Sequence, residues 1–217
     1  MLAWGKRLGA LALVLTLGSC YIPDKYKAEL RLSRYGDYAI TYDGDLLYVP
    51  ILHDYADNKI KPEEEESRQE NIRRDMARDI AFKKIEPRGK GRFTVHYERM
   101  GRLGRVELVA LVRRDARILS LKSFENGAIG VAANALKPGD AQTLAKLGIE
   151  MKGEFRITTD ANVVEHNAAE VRPFGAFKVY VWRMDGPFAP SPKLIMIRDT
   201  DPERPLPERP QELKTKP

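Results

Sequence analysis

From Lys27 onward the chain alternates apolar and polar positions in short runs. Ala28, Leu30 and Leu32 alternate with Lys27, Glu29 and Arg31, the period-two pattern of a half-buried strand. Gly36-Asp37 and Asp43-Gly44 punctuate Tyr38–Tyr42 and Leu46–Val49, so an antiparallel meander with a tight hairpin at Asp43-Gly44 is predicted. Pro62 followed by Glu63, Glu64, Glu65 and Glu66 starts a helix, because proline suits the first helical position and carboxylates favour the positive end of the dipole. Ile72, Met76 and Ile80 continue it as a narrow apolar stripe, predicting about twenty residues that end near Ile85, before Pro87. Strands resume with Phe93, Val95 and Tyr97. Val106–Val112 is apolar on both faces, as in a central strand. Ile118–Phe124 and Ala128–Ala132 flank Asn126-Gly127, the strongest hairpin signal in the chain. Pro138–Leu147 has room for a short helix closed by Gly148. Period-two runs then follow through Ile149–Thr158, Phe177–Trp182 and Leu194–Ile197.

These elements predict an α+β fold, a mostly antiparallel β-sheet with one long amphipathic helix, in a single domain over residues 26–198. Beyond it, Pro202-Glu203-Arg204-Pro205 and Pro207-Glu208-Arg209-Pro210 form a duplicated tetrad around Leu206. Residues 199–217 lack apolar surface to offset ordering and are expected to be a disordered Pro-rich tail.

The first twenty residues follow another rule. After Lys6 and Arg7, the run Leu8–Leu17 is apolar and is followed by Gly18-Ser19 and the only cysteine. Ten residues of helix make roughly 15 Å, about half a hydrocarbon core, so a cleaved export signal fits better than a transmembrane anchor. Leu17-Gly18-Ser19-Cys20 resembles the lipobox of bacterial lipoproteins. That resemblance implies a signal peptide over residues 1–19 and lipid attachment at Cys20. With Tyr21 rather than Asp next, it implies the periplasmic face of the outer membrane, or the inner membrane in a one-membrane organism. Residues 20–25 would then be a lipidated tether of about 17 Å at full extension, holding the domain against the membrane. Further on, Gly153–Asn167 with Val181-Trp182-Arg183-Met184 resembles the LppM-type lipoprotein domain, which implies a β-rich module that brings no catalytic residues.

Charge is segregated within the total of 37 Lys+Arg and 31 Asp+Glu. Residues 21–66 hold six basic and eleven acidic side chains, whereas residues 83–117 hold eleven basic and four acidic. Lys83, Lys84, Arg88, Lys90, Arg92, Arg102 and Arg105 are therefore candidate contacts for an anionic surface: anionic lipid, lipopolysaccharide or an acidic envelope protein. A solvated face is the competing reading, and nucleic acid is no partner outside the cytoplasm. Seven of nine tyrosines fall between Tyr21 and Tyr55, in keeping with strand packing or an interfacial belt.

Catalytic signals are sparse. His53, His96 and His166 form no ligand pair, and with Cys20 lipidated no metal or cofactor site is expected. Ser120 and Ser123 occupy no strand-to-helix elbow, and the glycines precede no phosphate-cradling helix. A non-catalytic binding or accessory role in the envelope is the leading expectation. An envelope hydrolase with a site near Asp160–Asn167, including His166, is one alternative; a structural spacer using its C-terminal tail is the other. Metabolic labelling with a palmitate analogue should mark the wild type and not Cys20→Ser; equal labelling of both would end the lipoprotein reading.

Overall fold

The computed structural model describes residues 21–56, 59–112, 117–136 and 138–206; the expected signal peptide and Cys20 lie outside them. In chain order the elements are β1 (Tyr21–Leu32), β2 (Asp37–Tyr48), α1 (Val49–Ala56), α2 (Pro62–Met76), β3 (Phe82–Pro87), β4 (Arg92–Arg102), β5 (Leu108–Val112) and β6 (Arg117–Ser123). There follow β7 (Ala128–Ala133), α3 (Pro138–Lys146), β8 (Lys152–Thr159), β9 (Asn162–His166), β10 (Glu170–Phe174), β11 (Phe177–Asp185) and β12 (Lys193–Ile197). The strands form two sheets, ordered β10-β11-β8-β1-β2-β4-β3 and β5-β6-β7-β12-β9. All pairings are antiparallel except β1 with β8.

The period-two pattern explains the layering. Leu30, Leu32, Ile40, Tyr97, Phe155 and Ile157 of the larger sheet share one buried cluster with Leu111, Leu121, Ile129, Val131, Leu194 and Met196 of the smaller. The two sheets therefore pack face to face, each such side chain contributing about 1.5–3 kcal/mol of burial. A smaller cluster of Ile22, Leu47, Leu144, Ile149 and Met151 seats α3 against the start of β1.

Several expectations are corrected. The long helix stops at Met76, and residues expected to end it form β3 instead. Asp79 causes the break: its carboxylate accepts the Ala81 N–H at 3.0 Å and is held by Arg99, leaving Ile80 86% exposed. Asp43-Gly44 is no turn, since β2 runs straight through it. Gly44 instead faces a bulge in β1, where a Cβ would sit 2.5 Å from the Tyr26 Cα. β5 lies at a sheet edge rather than centrally, although four of its five residues are buried. Asn162–His166 forms the edge strand β9.

The two ends of the domain also differ. Tyr21 and Ile22 are buried in β1, so the expected tether is part of the sheet. Residues 199–206 are docked, with Asp201 8% exposed and paired to Arg102 at 3.1 Å, so this half of the tail packs on the domain. Residues 207–217 lie outside the described part.

What admits Asp24 to a buried strand position is Arg92, sixty-eight residues away. Its Nη1 donates to Asp24 Oδ2 at 2.9 Å and to Asp45 Oδ2 at 2.7 Å, while the Thr94 hydroxyl donates to Asp45 Oδ1 at 2.7 Å. Burial opposes the charge on Arg92, but Asp45 and Asp24 outweigh it and hold the guanidinium above its usual range. Arg92→Met would strand the Asp24 carboxylate, 2% exposed, inside the sheet. A loss of about 3–5 kcal/mol is expected from urea denaturation, with much of it recovered when Asp24→Asn is added. A loss under about 1 kcal/mol would show that the triad does not hold the strands.

Candidate functional site

The outer face of the larger sheet is assembled by register from residues far apart in sequence. One row runs Lys84, His96, Asp43, Lys27, Glu154 and Arg183 across β3, β4, β2, β1, β8 and β11. The next carries Glu98, Thr41, Glu29 and Arg156. These rows are largely self-neutralised. Arg31 donates to Glu29 at 3.1 Å, Arg156 to Glu154 at 2.6 Å, and Arg172 and Arg183 share Glu170. Arg172 and then Arg183 pull Glu170 down to about 2.

One row further along, the chemistry changes. Met100, Ala39, Arg31, Thr158, Val179 and Arg172 share a row, and Phe177 and Phe174 close it at the β10–β11 turn. They line an open groove of about 1000 Å³ together with Tyr38, Leu32 and Gly101. Met100 is 79% exposed, Phe174 67% and Phe177 42%. Such exposure is costly for three large apolar side chains in one hollow. Arg31, Arg156 and Arg172 stand around it, and Ser33 and Asp37 form the rim at the β1–β2 turn.

The seven cations proposed from sequence do not gather into one cluster. Arg92 opens β4 and Arg102 ends it, ten residues and about 33 Å apart. Arg92 is consumed by Asp24 and Asp45, and Arg102 by Asp201. Lys84 and Arg88 both pair with Glu86, at 2.8 and 2.7 Å, and Lys83 donates to the Ile80 carbonyl. Lys90 and Arg105 are exposed with no ion pair among the described residues. Cys20 lies outside the described residues, as do Arg113 and Arg114.

The alternative site at Asp160–Asn167 is occupied by structural bonds. Asp160 accepts the Arg34 backbone N–H at 2.7 Å and its Nε at 2.8 Å. The Asn167 carbonyl oxygen accepts Trp182 Nε1 and the Lys193 N–H, both at 2.8 Å, and its amide donates to the Ser191 carbonyl. His166 accepts the Ala168 N–H and lies edge-on to Tyr180 at 4.9 Å. These groups tie the sheets together where the chain crosses between them. Glu65, within the acidic start of α2, accepts the Lys90 N–H and the Gln69 amide. Among the described residues no group of three or more His, Cys, Asp and Glu could hold a metal ion. No described helix is long and apolar enough to cross a membrane.

Sequence reading missed the groove, although one signal for it is present. Glu29-Leu30-Arg31, Glu154-Phe155-Arg156 and Glu170-Val171-Arg172 each set a carboxylate and a guanidinium on one strand face. Only pairing shows that the first two lie side by side on β1 and β8, with the third one strand further, across β11.

No protein-family model matches the chain, and no curated protein matches it. Among solved structures, the NMR structure of the folded domain of Mycobacterium tuberculosis LppM is similar at a TM-score of 0.37 and 10% identity, over 87% of this chain and 95% of that one. A likeness of that size assigns no family.

His96 offers a local test of the charged half. Its Nδ1 lies 2.6 Å from Asp43 and its Nε2 3.0 Å from Glu98, so both nitrogens donate only when the ring is protonated. Asp43 and then Glu98 raise its pKa above the usual 6.5. The contribution to stability is therefore present in full below about pH 6.5 and fades as pH rises through the higher folded value. An NMR titration of His96 should show this raised midpoint, returning toward 6.5 in Asp43→Asn with Glu98→Gln. No movement in the double variant would contradict the assignment.

Proposed function

We propose that this protein is a membrane-anchored envelope lipoprotein with a non-catalytic binding role, and that the groove on the larger sheet is its contact surface. The observation that carries the reading is the exposure of Met100, Phe174 and Phe177 in one hollow bordered by Arg31, Arg156 and Arg172. An apolar floor with guanidinium groups above it suits an amphiphile with an acyl or alkyl body and an anionic head, a chemistry the cell envelope supplies. Zwitterionic and neutral amphiphiles would gain the floor without the rim.

The lipobox supports the anchor, and the fold gives it a geometric consequence. β1 begins at Tyr21, directly after Cys20, and reaches the groove at Arg31. Acylation at Cys20 would place the groove as much as roughly 33 Å from the attachment point, since ten strand residues span that distance. The groove is then suited to amphiphiles outside the bilayer rather than to the headgroup layer beneath the domain.

Dodecyl phosphate below its micellar concentration should bind the wild type more tightly than dodecyl maltoside in calorimetric titrations. Met100→Asp with Phe174→Asp should weaken dodecyl phosphate at least about tenfold, the loss expected from exposing apolar contacts. Replacing Arg31, Arg156 and Arg172 by Gln should remove the preference for the anionic head. Equal binding of both amphiphiles by all variants would dismiss the groove as the contact surface.

A further inference from the structure

At the end of β4, beside the groove rim, two arginines converge under the docked segment 199–206. Arg198 donates from Nη1 to the Leu103 carbonyl at 3.2 Å and the Gly104 carbonyl at 3.0 Å. Its Nε and Nη2 are buried with no hydrogen-bond partner, and so is Nε of Arg102. The Nε–Nη2 edge is the fork with which a guanidinium grips an oxyanion side-on. It lies over Gly36, where a Cβ would come within 3.1 Å of Arg198 Nε, so the absent side chain leaves room for this edge. Three buried donors without acceptors in one place are unusual, because each forfeits its hydration without replacement.

The charges around them are unbalanced. Burial, then Arg102 and Arg105, push the Arg198 guanidinium below the usual range, with Glu107 opposing them. Against these three cations stand Glu107, whose carboxylate already accepts the Gly104 N–H at 2.7 Å, and Asp201. Asp201 Oδ2 accepts from Arg102 Nη2 at 3.1 Å, and its Oδ1 takes the backbone N–H groups of Glu203 and Arg204 at 3.1 and 3.2 Å. Arg204 pairs with Asp201 at 3.3 Å and with the rim residue Asp37 at 3.2 Å. The segment thus brings one carboxylate to a place with more donors than it satisfies.

We infer that Arg102 and Arg198 form a binding site for a phosphate group, held closed by the Asp201 carboxylate on the segment 199–206. A phosphate presents three acceptor oxygens and up to two charges, which matches the spare donors at Arg102 Nε and at Arg198 Nε and Nη2. Entry requires Asp201 to leave, which releases the Arg204 contact to Asp37 and opens the neighbouring groove rim. The phosphate is either free or the head of the amphiphile proposed above; only the second form rests on the groove reading.

The test uses the purified full chain with inorganic phosphate and with dodecyl phosphate as probes, the amide spectrum verifying the fold of each variant. Asp201→Asn keeps the turn acceptor and removes the charge, so inorganic phosphate should bind it about tenfold more tightly than wild type. Adding Arg198→Met, of similar length, should abolish that binding. For the unmodified chain, phosphate should raise the melting temperature relative to chloride at equal ionic strength, and should not do so in Arg198→Met. Failure of Asp201→Asn to bind phosphate, or equal binding after Arg198→Met, overturns the inference. The groove separates the sources: Met100→Asp with Phe174→Asp should leave inorganic phosphate unaffected while weakening dodecyl phosphate. If dodecyl phosphate binds no tighter than inorganic phosphate in any variant, the site takes free phosphate, and the amphiphile reading fails without it.

Discussion

Arg92 bonded to Asp24 and Asp45 is the interaction on which the arrangement of the larger sheet depends. It joins β1, β2 and β4, three consecutive strands of that sheet. A carboxylate at a fully buried strand position is tolerated only where a cation neutralises it and the geometry is good. With the pair made, β1 can extend to Tyr21 and carry Tyr21 and Ile22 into the core. The first described strand residue then directly follows Cys20, and whatever holds that residue holds the sheet directly.

Just beyond this triad the strand bulges, and the bulge is filled by aromatic packing. Tyr26 stacks on Tyr42 with centroids 5.4 Å apart, and its ring occupies the space over Gly153, where a Cβ would lie 2.3 Å away. Burial raises the Tyr26 hydroxyl above its usual range. Several of the tyrosines concentrated near the chain's beginning therefore serve packing: Tyr21 and Tyr42 are buried, and Tyr38 lines the groove. An interfacial belt has no support among the buried members.

The outer face of the same sheet divides along its length. Near the triad, opposite charges meet across neighbouring strands, as His96 and Asp43 do. Exposed pairs of this kind contribute only about 0–1 kcal/mol each, and their main effect is to leave no unpaired charge on an open sheet. At the other end the ladder gives way to Met100, Phe174 and Phe177, and Arg31, Arg156 and Arg172, each bonded to the glutamate of its own repeat, border apolar surface. Segment 199–206 lies at this second end and contributes Arg204 to the rim through Asp37. Groove, rim and candidate anion site are thus neighbours.

Local pattern determined most strands in this protein, because a half-buried strand must alternate and a hairpin must turn where Asn126-Gly127 permits positive φ, as Gly127 does at 82°. It also determined α3, with Gly148 at its end. Other elements depended on partners remote in sequence. The helix expected to reach Ile85 ends at Met76 because Asp79 and Arg99 break it, while the free edge of β4 recruits Phe82–Pro87. The apolar run of β5 reads as central yet pairs on one side only, since periodicity reports burial and not position in a sheet. Cationic residues close in sequence were separated by the length of β4, and apolar residues from β4, β10 and β11 were brought into one groove. Charge counts and periodicity carry no register. Only strand pairing decides which side chains become neighbours, so the tertiary structure alone decided where a ligand could bind.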